Sequence, residues 1–120
     1  MFRSVVVNSL SDDFSKISIE ELDRQNLNSN EVRVKVYSAS VNFPDLLMTK
    51  GLYQYKPEVP FTLGMESSGV IIETGKDVKD FNIGDEVIVS AFTGSFSEEI
   101  VIVEGKVRKK PPGLTWEQAS

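Results

Sequence analysis

Residues Gly64 to Asp85, GMESSGVIIETGKDVKDFNIGD, constrain the fold more than any other part of the chain. Within these 22 residues, four glycines punctuate one apolar run and two turns. Gly64 and Gly69 stand where backbone must pass close beside another segment or bend sharply, and Gly75 and Gly84 where turns commonly need a positive φ. Val70, Ile71 and Ile72 read as one buried strand, and Val87, Ile88 and Val89, just past the second turn, as the next. On spacing alone the pattern fits any tight β-arch.

The flanking segments supply partners for those strands. Arg3 to Asn8 is a short β-rich run, and Phe14 to Leu22 alternates apolar and polar residues as a half-buried strand does. Asp23 to Asn30 is a polar loop. Glu31 to Val41 alternates with period two, which sends Val32, Val34 and Val36 to one side and Arg33, Lys35 and Tyr37 to the other. Asn42 or Phe43 before Pro44, Asp45 in a first turn, Lys50 in a last turn and Gly51 as a stop predict a helix of about two turns. Leu52 to Leu63 is expected to be a long loop, because Pro57 and Pro60 disfavour both helix and central strand. Ala91 to Ser95 reads as a turn, and Phe96 to Val103 and Lys106 to Lys110 as two further strands, the lysine-rich one presenting its charge to water. After Pro111-Pro112-Gly113, Thr115 and Gln118 have capping-box spacing and start a second helix. About seven short strands with one or two short helices make the chain mainly β, a barrel or a strongly bent sandwich, and 120 residues suffice for one domain.

Composition restricts the chemistry. The chain has no cysteine and no histidine, so disulfides, thiolate nucleophiles, Cys/His zinc sites and imidazole acid–base catalysis are excluded within it. Reactions must use a cofactor, carboxylates, lysine, tyrosine or hydroxyl groups. A net charge of -5 without a basic face predicts no nucleic-acid or anionic-membrane partner. No apolar run approaches the roughly 20 residues that span a bilayer. The N-terminal segment turns polar after Val7, too early for a signal-peptide core, which predicts a cytoplasmic location.

Three motifs, SASVNFPDLLMTKGLY, PFTLGMESSGVIIETGKDVKDFNIGDEVIV and GSFSEEIVIVEGKVRKKPPGLTWEQAS, carry a family resemblance over essentially the whole chain. It resembles the N-terminal, GroES-like domain of the zinc-free quinone oxidoreductase branch of the medium-chain dehydrogenase/reductases. The resemblance implies a partly open β-barrel that precedes a Rossmann domain, and no Rossmann glycine fingerprint occurs in these residues. It implies that residues 1–120 are the substrate-side part of a two-domain, homodimeric NADPH-dependent reductase of quinones or α,β-unsaturated carbonyl compounds. A non-catalytic β-barrel module is the alternative, and the expectation for these 120 residues by themselves. A co-chaperonin would need a mobile glycine-rich loop with a hydrophobic tripeptide, which is not found. In zinc-containing relatives a histidine follows the first glycine of the middle motif and a cysteine follows the third strand. Met65 stands at the first of these positions and no cysteine exists for the second, so no metal site is expected.

The same resemblance nominates residues. Asn42 and Tyr53 are the expected polar contacts at the reacting centre, and Asn42, Phe43, Asp45 and Met65 the expected cofactor contacts. Each has a plainer role available to it: Asn42 as a helix cap, Asp45 as a first-turn carboxylate, and Tyr53 as loop packing. Tyr55 is a weaker candidate for the role of Tyr53. Glu66 is expected to be a structural acid, and Phe43 and Leu47 to pack in the core more than to line a substrate wall.

Overall fold

In the computed structural model, which describes residues 1–120, the strands are β1 (Phe2–Val7), β2 (Ile17–Leu22), β3 (Glu31–Ser40), β4 (Phe61–Thr62), β5 (Glu66–Thr74), β6 (Glu86–Ser90), β7 (Glu99–Val103) and β8 (Val107–Lys109). Two helices, α1 (Phe43–Lys50) and α2 (Trp116–Ala119), complete the chain. One antiparallel sheet runs β2-β1-β4 and the other β7-β3-β5-β6-β8. The segment before β7 joins them: the Val5 N–H donates to the Phe96 carbonyl at 2.8 Å, and the Glu98 N–H to the Arg3 carbonyl at 2.9 Å. Strand edges remain free in both sheets, which gives the mainly β architecture read from the strand pattern and the partly open form that the family resemblance implies.

The centre of the larger sheet is the β3–β5 pair. Its register slips twice, leaving Ile72 extra on β5 and Tyr37 extra on β3. Such bulges re-aim the side chains beyond them. Past Tyr37, Ser38 and Ser40 both meet the Ser120 hydroxyl at 3.2 Å, Ser68 donates to the Trp116 carbonyl, and Tyr37 packs edge-on to the Trp116 ring. Those contacts pin α2 to the back of the sheet. The expected capping box starts that helix, with Thr115 and Gln118 exchanging side-chain-to-backbone bonds of 3.0 and 3.1 Å.

Apolar packing falls into two clusters. Val32, Val34, Ile71, Val87, Val89, Ile100, Ile102 and Val107 fill the larger sheet, so the three β-branched runs read in the sequence converge in one core. Val7, Met48, Phe61 and Leu63 form a smaller one beneath α1, with Tyr53, Met65 and Phe96 at its rim.

Several expectations are corrected. The second strand begins at Ile17 rather than Phe14, because Phe14 sits at φ +62° in a turn that Ile17 closes onto its carbonyl. Residues 96–98 cross to β1 instead of extending β7, and the loop after α1 contains β4, whose Phe61 pairs with Val7. Arg33 lies on the side of β3 opposite the valines, as its spacing implies, yet is buried: its side chain is 4% exposed, bonded by Nε to Glu73 at 2.7 Å and by its terminal nitrogen to the Gln25 carbonyl. Period two assigns a face of the sheet, but the 23–30 loop folds over that face and covers it. Lys110 is likewise covered, lying over the Trp116 ring while Nζ donates to the Leu114 carbonyl and pairs with Glu86. Gly75 has no positive φ; a Cβ there would lie 2.4 Å from the Asn28 carbonyl oxygen, so close approach is its constraint.

Candidate functional site

The end of β3, the start of α1 and the start of β5 meet because Ser40 and Glu66 are ladder partners. Asn42, two residues past Ser40, is the N-cap of α1, with Pro44 in the first turn and Gly51 at φ +73° closing the other end. The capping-box positions are Asn42 and Asp45. Asp45 Oδ2 accepts the Asn42 N–H at 2.8 Å, and the Asp45 N–H donates to the main-chain carbonyl of Asn42 at 3.0 Å. The Asn42 side chain occupies the capping-box position facing the Asp45 N–H, whose well-formed bond goes to the Asn42 main-chain carbonyl; its Nδ2 donates to Glu66 Oε2 at 3.2 Å and, more weakly, to the Ser40 carbonyl at 3.5 Å. The nitrogen of the half-buried Asn42 amide is therefore held by β5, while its oxygen stays on the side of its own helix start.

Asp45 is fully buried, and its Oδ1 has no hydrogen-bond partner. Burial pushes the carboxyl above its ordinary value of 3.8; the Asn42 N–H opposes that rise, and the nearby Glu66 charge adds to it. The residue supports the helix start from inside and presents no surface to a ligand.

Tyr53 and Met65 reach one another's neighbourhood through the smaller cluster: both are half-buried against Val7, Met48, Phe61 and Leu63. Phe43, expected to pack, is 69% exposed, and Val41 beside it is equally exposed. A helix this short has one face to bury, and Met48 and Thr49 take it, leaving Phe43 and Leu46 outside. Tyr55 turns away from Tyr53 and stacks on Phe92 with ring centroids 4.8 Å apart, so it anchors the 52–60 loop to the β6–β7 connection. Nothing in the sequence pairs Tyr55 with Phe92, which lie 37 residues apart. Glu66 thus ties Asn42 to the strand that follows Met65, and Met65 shares the smaller cluster with Tyr53, while Phe43 is exposed at the start of α1. Two concavities, of about 460 and 410 Å³, open elsewhere and include none of these residues.

A family model described as "Alcohol dehydrogenase GroES-like domain" matches residues 28–112. The chain belongs to this family. The matched span of this GroES-like domain runs from the loop before β3 to the residues after β8, so it contains Asn42, Asp45, Tyr53, Met65 and Glu66.

Among its relatives, a quinone oxidoreductase-like protein 2 homolog of Nematostella vectensis is 36% identical over 120 residues, covering 99% of this chain and 32% of that protein. A zinc-type alcohol dehydrogenase-like protein of Schizosaccharomyces pombe is 40% identical over 92 residues, covering 76% of this chain and 26% of that protein. Among solved structures, the Escherichia coli quinone oxidoreductase complexed with NADPH superposes with a TM-score of 0.90 at 25% identity, covering 98% of this chain and 36% of that one. The GroES-like chain spans about a third of the length of these proteins. No group of three His, Cys, Asp or Glu side chains is placed to hold a metal ion, and no helix is long and apolar enough to cross a membrane.

The buried carboxyl of this GroES-like domain has a measurable consequence. Because the folded Asp45 value is raised, the neutral acid favours the fold fully below the unfolded value of 3.8, and that contribution is lost as pH rises through the folded value. Asp45→Asn stays neutral throughout. Urea unfolding between pH 3 and pH 7 is expected to show the variant gaining on the wild type as pH rises, by about 1.4 kcal/mol for each unit of elevation. A difference that stays flat with pH, or moves the other way, contradicts the assignment.

Proposed function

We propose that residues 1–120 are the substrate-side domain of a zinc-independent, NADPH-dependent reductase of quinones or α,β-unsaturated carbonyl compounds. The observation that supports this reading is that a phenol, Tyr53, and a thioether, Met65, share the rim of one apolar cluster, while the Asn42 amide is bonded to Glu66, the residue after Met65. The independence from zinc follows from residue chemistry, since Met65 and Asn42 are poor ligands for that ion and the chain has no histidine or cysteine.

These residues fit one end of a dinucleotide. The Asn42 amide and the exposed Phe43 ring suit the nicotinamide, whereas the phosphates have no cradle here: the Asp45 carboxylate already takes the N–H at the start of α1. When bound, the nicotinamide supplies a hydride to an electron-poor carbon. Tyr53, whose hydroxyl has no protein partner, donates a hydrogen bond to the substrate oxygen and stabilises charge that gathers there. Met65 and the small cluster keep the reacting face dry and give an aromatic substrate an apolar surface. This reading assigns the phosphate-binding residues, and so most of the affinity, to the remaining two thirds of the longer protein; the chain spans about a third of its relatives' length, which leaves room for them.

Two measurements test this. In a protein that carries this domain together with the remaining two thirds, Tyr53→Phe is expected to lower kcat/KM for quinones about tenfold, the worth of one hydrogen bond to a charged oxygen. An unchanged kcat/KM in both Tyr53→Phe and Asn42→Ala removes the assigned roles. The 120 residues alone, with an open face in place of a closed cleft, act as a structural module. NADPH binding to them tighter than about 10 μM contradicts that part of the proposal.

A further inference from the structure

The polarity of Asn42 is fixed by what surrounds its amide nitrogen. Nδ2 faces two oxygens, Glu66 Oε2 at 3.2 Å and the Ser40 carbonyl at 3.5 Å. A carboxylate and a carbonyl only accept hydrogen bonds. Turning the amide over would set Oδ1 against both and leave the donor group without a partner, so the two acceptors fix which atom faces them. Nδ2 is thereby engaged, chiefly by Glu66. Oδ1 is the part of the side chain left for a ligand: the Asp45 N–H beside it is bonded to the main-chain carbonyl of Asn42, and an amide oxygen has two lone pairs in any case. The backbone half of the residue is equally fixed, because its N–H ends on the buried Asp45 carboxyl.

We propose that Glu66 is a positioning residue that makes Asn42 an acceptor, so that the ligand group this asparagine meets is a hydrogen-bond donor, a hydroxyl or a carboxamide N–H. The donor end of Asn42 is then turned toward Glu66 and away from a substrate carbonyl or oxyanion, and that task falls to Tyr53. The pairing of Glu66 with Asn42 stands on geometry, and only the identity of the ligand rests on the function proposed above. Glu66 is suited to the task by its place in the fold. As the first residue of β5, opposite Ser40 in the ladder, it is held by the larger sheet while Asn42 belongs to α1. Losing the carboxylate frees the amide to rotate without disturbing either core, since Glu66 is exposed and contributes to neither.

The test is nitrogen-15 NMR of the 120-residue protein, with the Asn42 side-chain resonances identified by their loss in Asn42→Ala. Hydrogen exchange of the Asn42 amide with water is expected to be slower than that of the exposed Asn26 and Asn82 side chains. Glu66→Ala should raise it at least about threefold, and Glu66→Gln, which keeps an acceptor, should raise it less. Equal exchange in wild type and Glu66→Ala, with the rest of the spectrum unchanged, overturns the positioning role. Three probes then address the ligand: hydroquinone, a hydroxyl donor; nicotinamide, a carboxamide donor; and tetramethyl-1,4-benzoquinone, which has no donor. Hydroquinone or nicotinamide, whichever supplies the natural group, is expected to displace the Asn42 signals with about fivefold tighter binding than the quinone, and Glu66→Ala to narrow that gap to within about twofold. A quinone that displaces them equally well overturns acceptor polarity. If no probe moves them at millimolar concentration, the ligand half of the proposal is overturned; the proposed function, which already expects weak binding to these 120 residues alone, is decided separately by the Tyr53→Phe kinetics of the longer protein, and the exchange measurement decides the role of Glu66.

Discussion

Gly69→Ala is expected to cost at least about 3 kcal/mol, at or above the upper end of ordinary overpacking. Gly69 lies on β5 between Val36 of β3 and Val87 of β6, so both of its sides are occupied by backbone. A Cβ there would stand 2.0 Å from the Lys35 carbonyl oxygen and 2.9 Å from the carbonyl carbon that bears it. A side chain in the way could rotate aside, but a carbonyl of a central strand cannot move without opening the ladder that holds it. The clash also falls next to the slip at Tyr37, where the pairing is already irregular, so strain would spread toward Ser38, Ser40 and the contacts of α2. Domains of this size are stable by about 5–15 kcal/mol, so the loss is a large share of the total. Gly105→Ala is the control, because nothing lies within 4 Å of a Cβ at that position. Urea unfolding should show a much lower midpoint for Gly69→Ala and almost none of that shift for Gly105→Ala. Similar midpoints would contradict the close-approach account.

The sequence disclosed most where local rules and tertiary packing agree. The helix over α1, its glycine stop, the capping box at Thr115 and the runs Val32/Val34/Val36 and Val87/Val89 are each dictated by neighbours within a few residues, and each is found. Pairing decided by distant chain was not legible. Arg33 obeys period two and is still buried, because the loop that covers it is eight residues away and its cover depends on how that loop folds back. Phe61–Thr62 reads as part of a proline-rich loop until β1 is there to pair with it. At the candidate site, residue types were legible and relationships were not. Asn42, Asp45, Tyr53 and Met65 could each be named, but only geometry separates the buried Asp45 from the half-buried Asn42, gives Asn42 to Glu66, and sends Tyr55 to Phe92. The period-two rule assigns a face and says nothing of what later folds over it, and a motif names a residue without fixing which of its atoms are free.

Ile71→Ala and Met48→Ala are expected to separate the two cores. Ile71 is fully buried in the cluster of the larger sheet, where truncating an isoleucine costs about 2–5 kcal/mol and the well-packed surroundings favour the upper half of that range. Met48 is as deeply buried, yet its cluster has four buried members and a rim that opens on the candidate face at Tyr53 and Met65, so it can relax and should lose nearer 2 kcal/mol. Where the sheets meet, the interior is polar: Thr62 donates to Ser4, Ser4 to Ser97, and the Ser67 and Ser95 hydroxyls lie 3.0 Å apart. Hydroxyl pairs hold their positions by direction and transmit little of a volume change, so the two losses should add within about 0.5 kcal/mol in the double variant. Amide exchange gives the spatial counterpart. Met48→Ala should speed exchange in β1, β4 and α1 while leaving β3 and β5 near wild type, and Ile71→Ala should speed both regions together because the larger core sets global unfolding. Strong coupling in the double variant, or uniform acceleration by Met48→Ala, would show that the face at Tyr53 and Met65 rests on one continuous core. Independence would instead allow that face to be repacked for a different substrate at little cost to the fold that presents it.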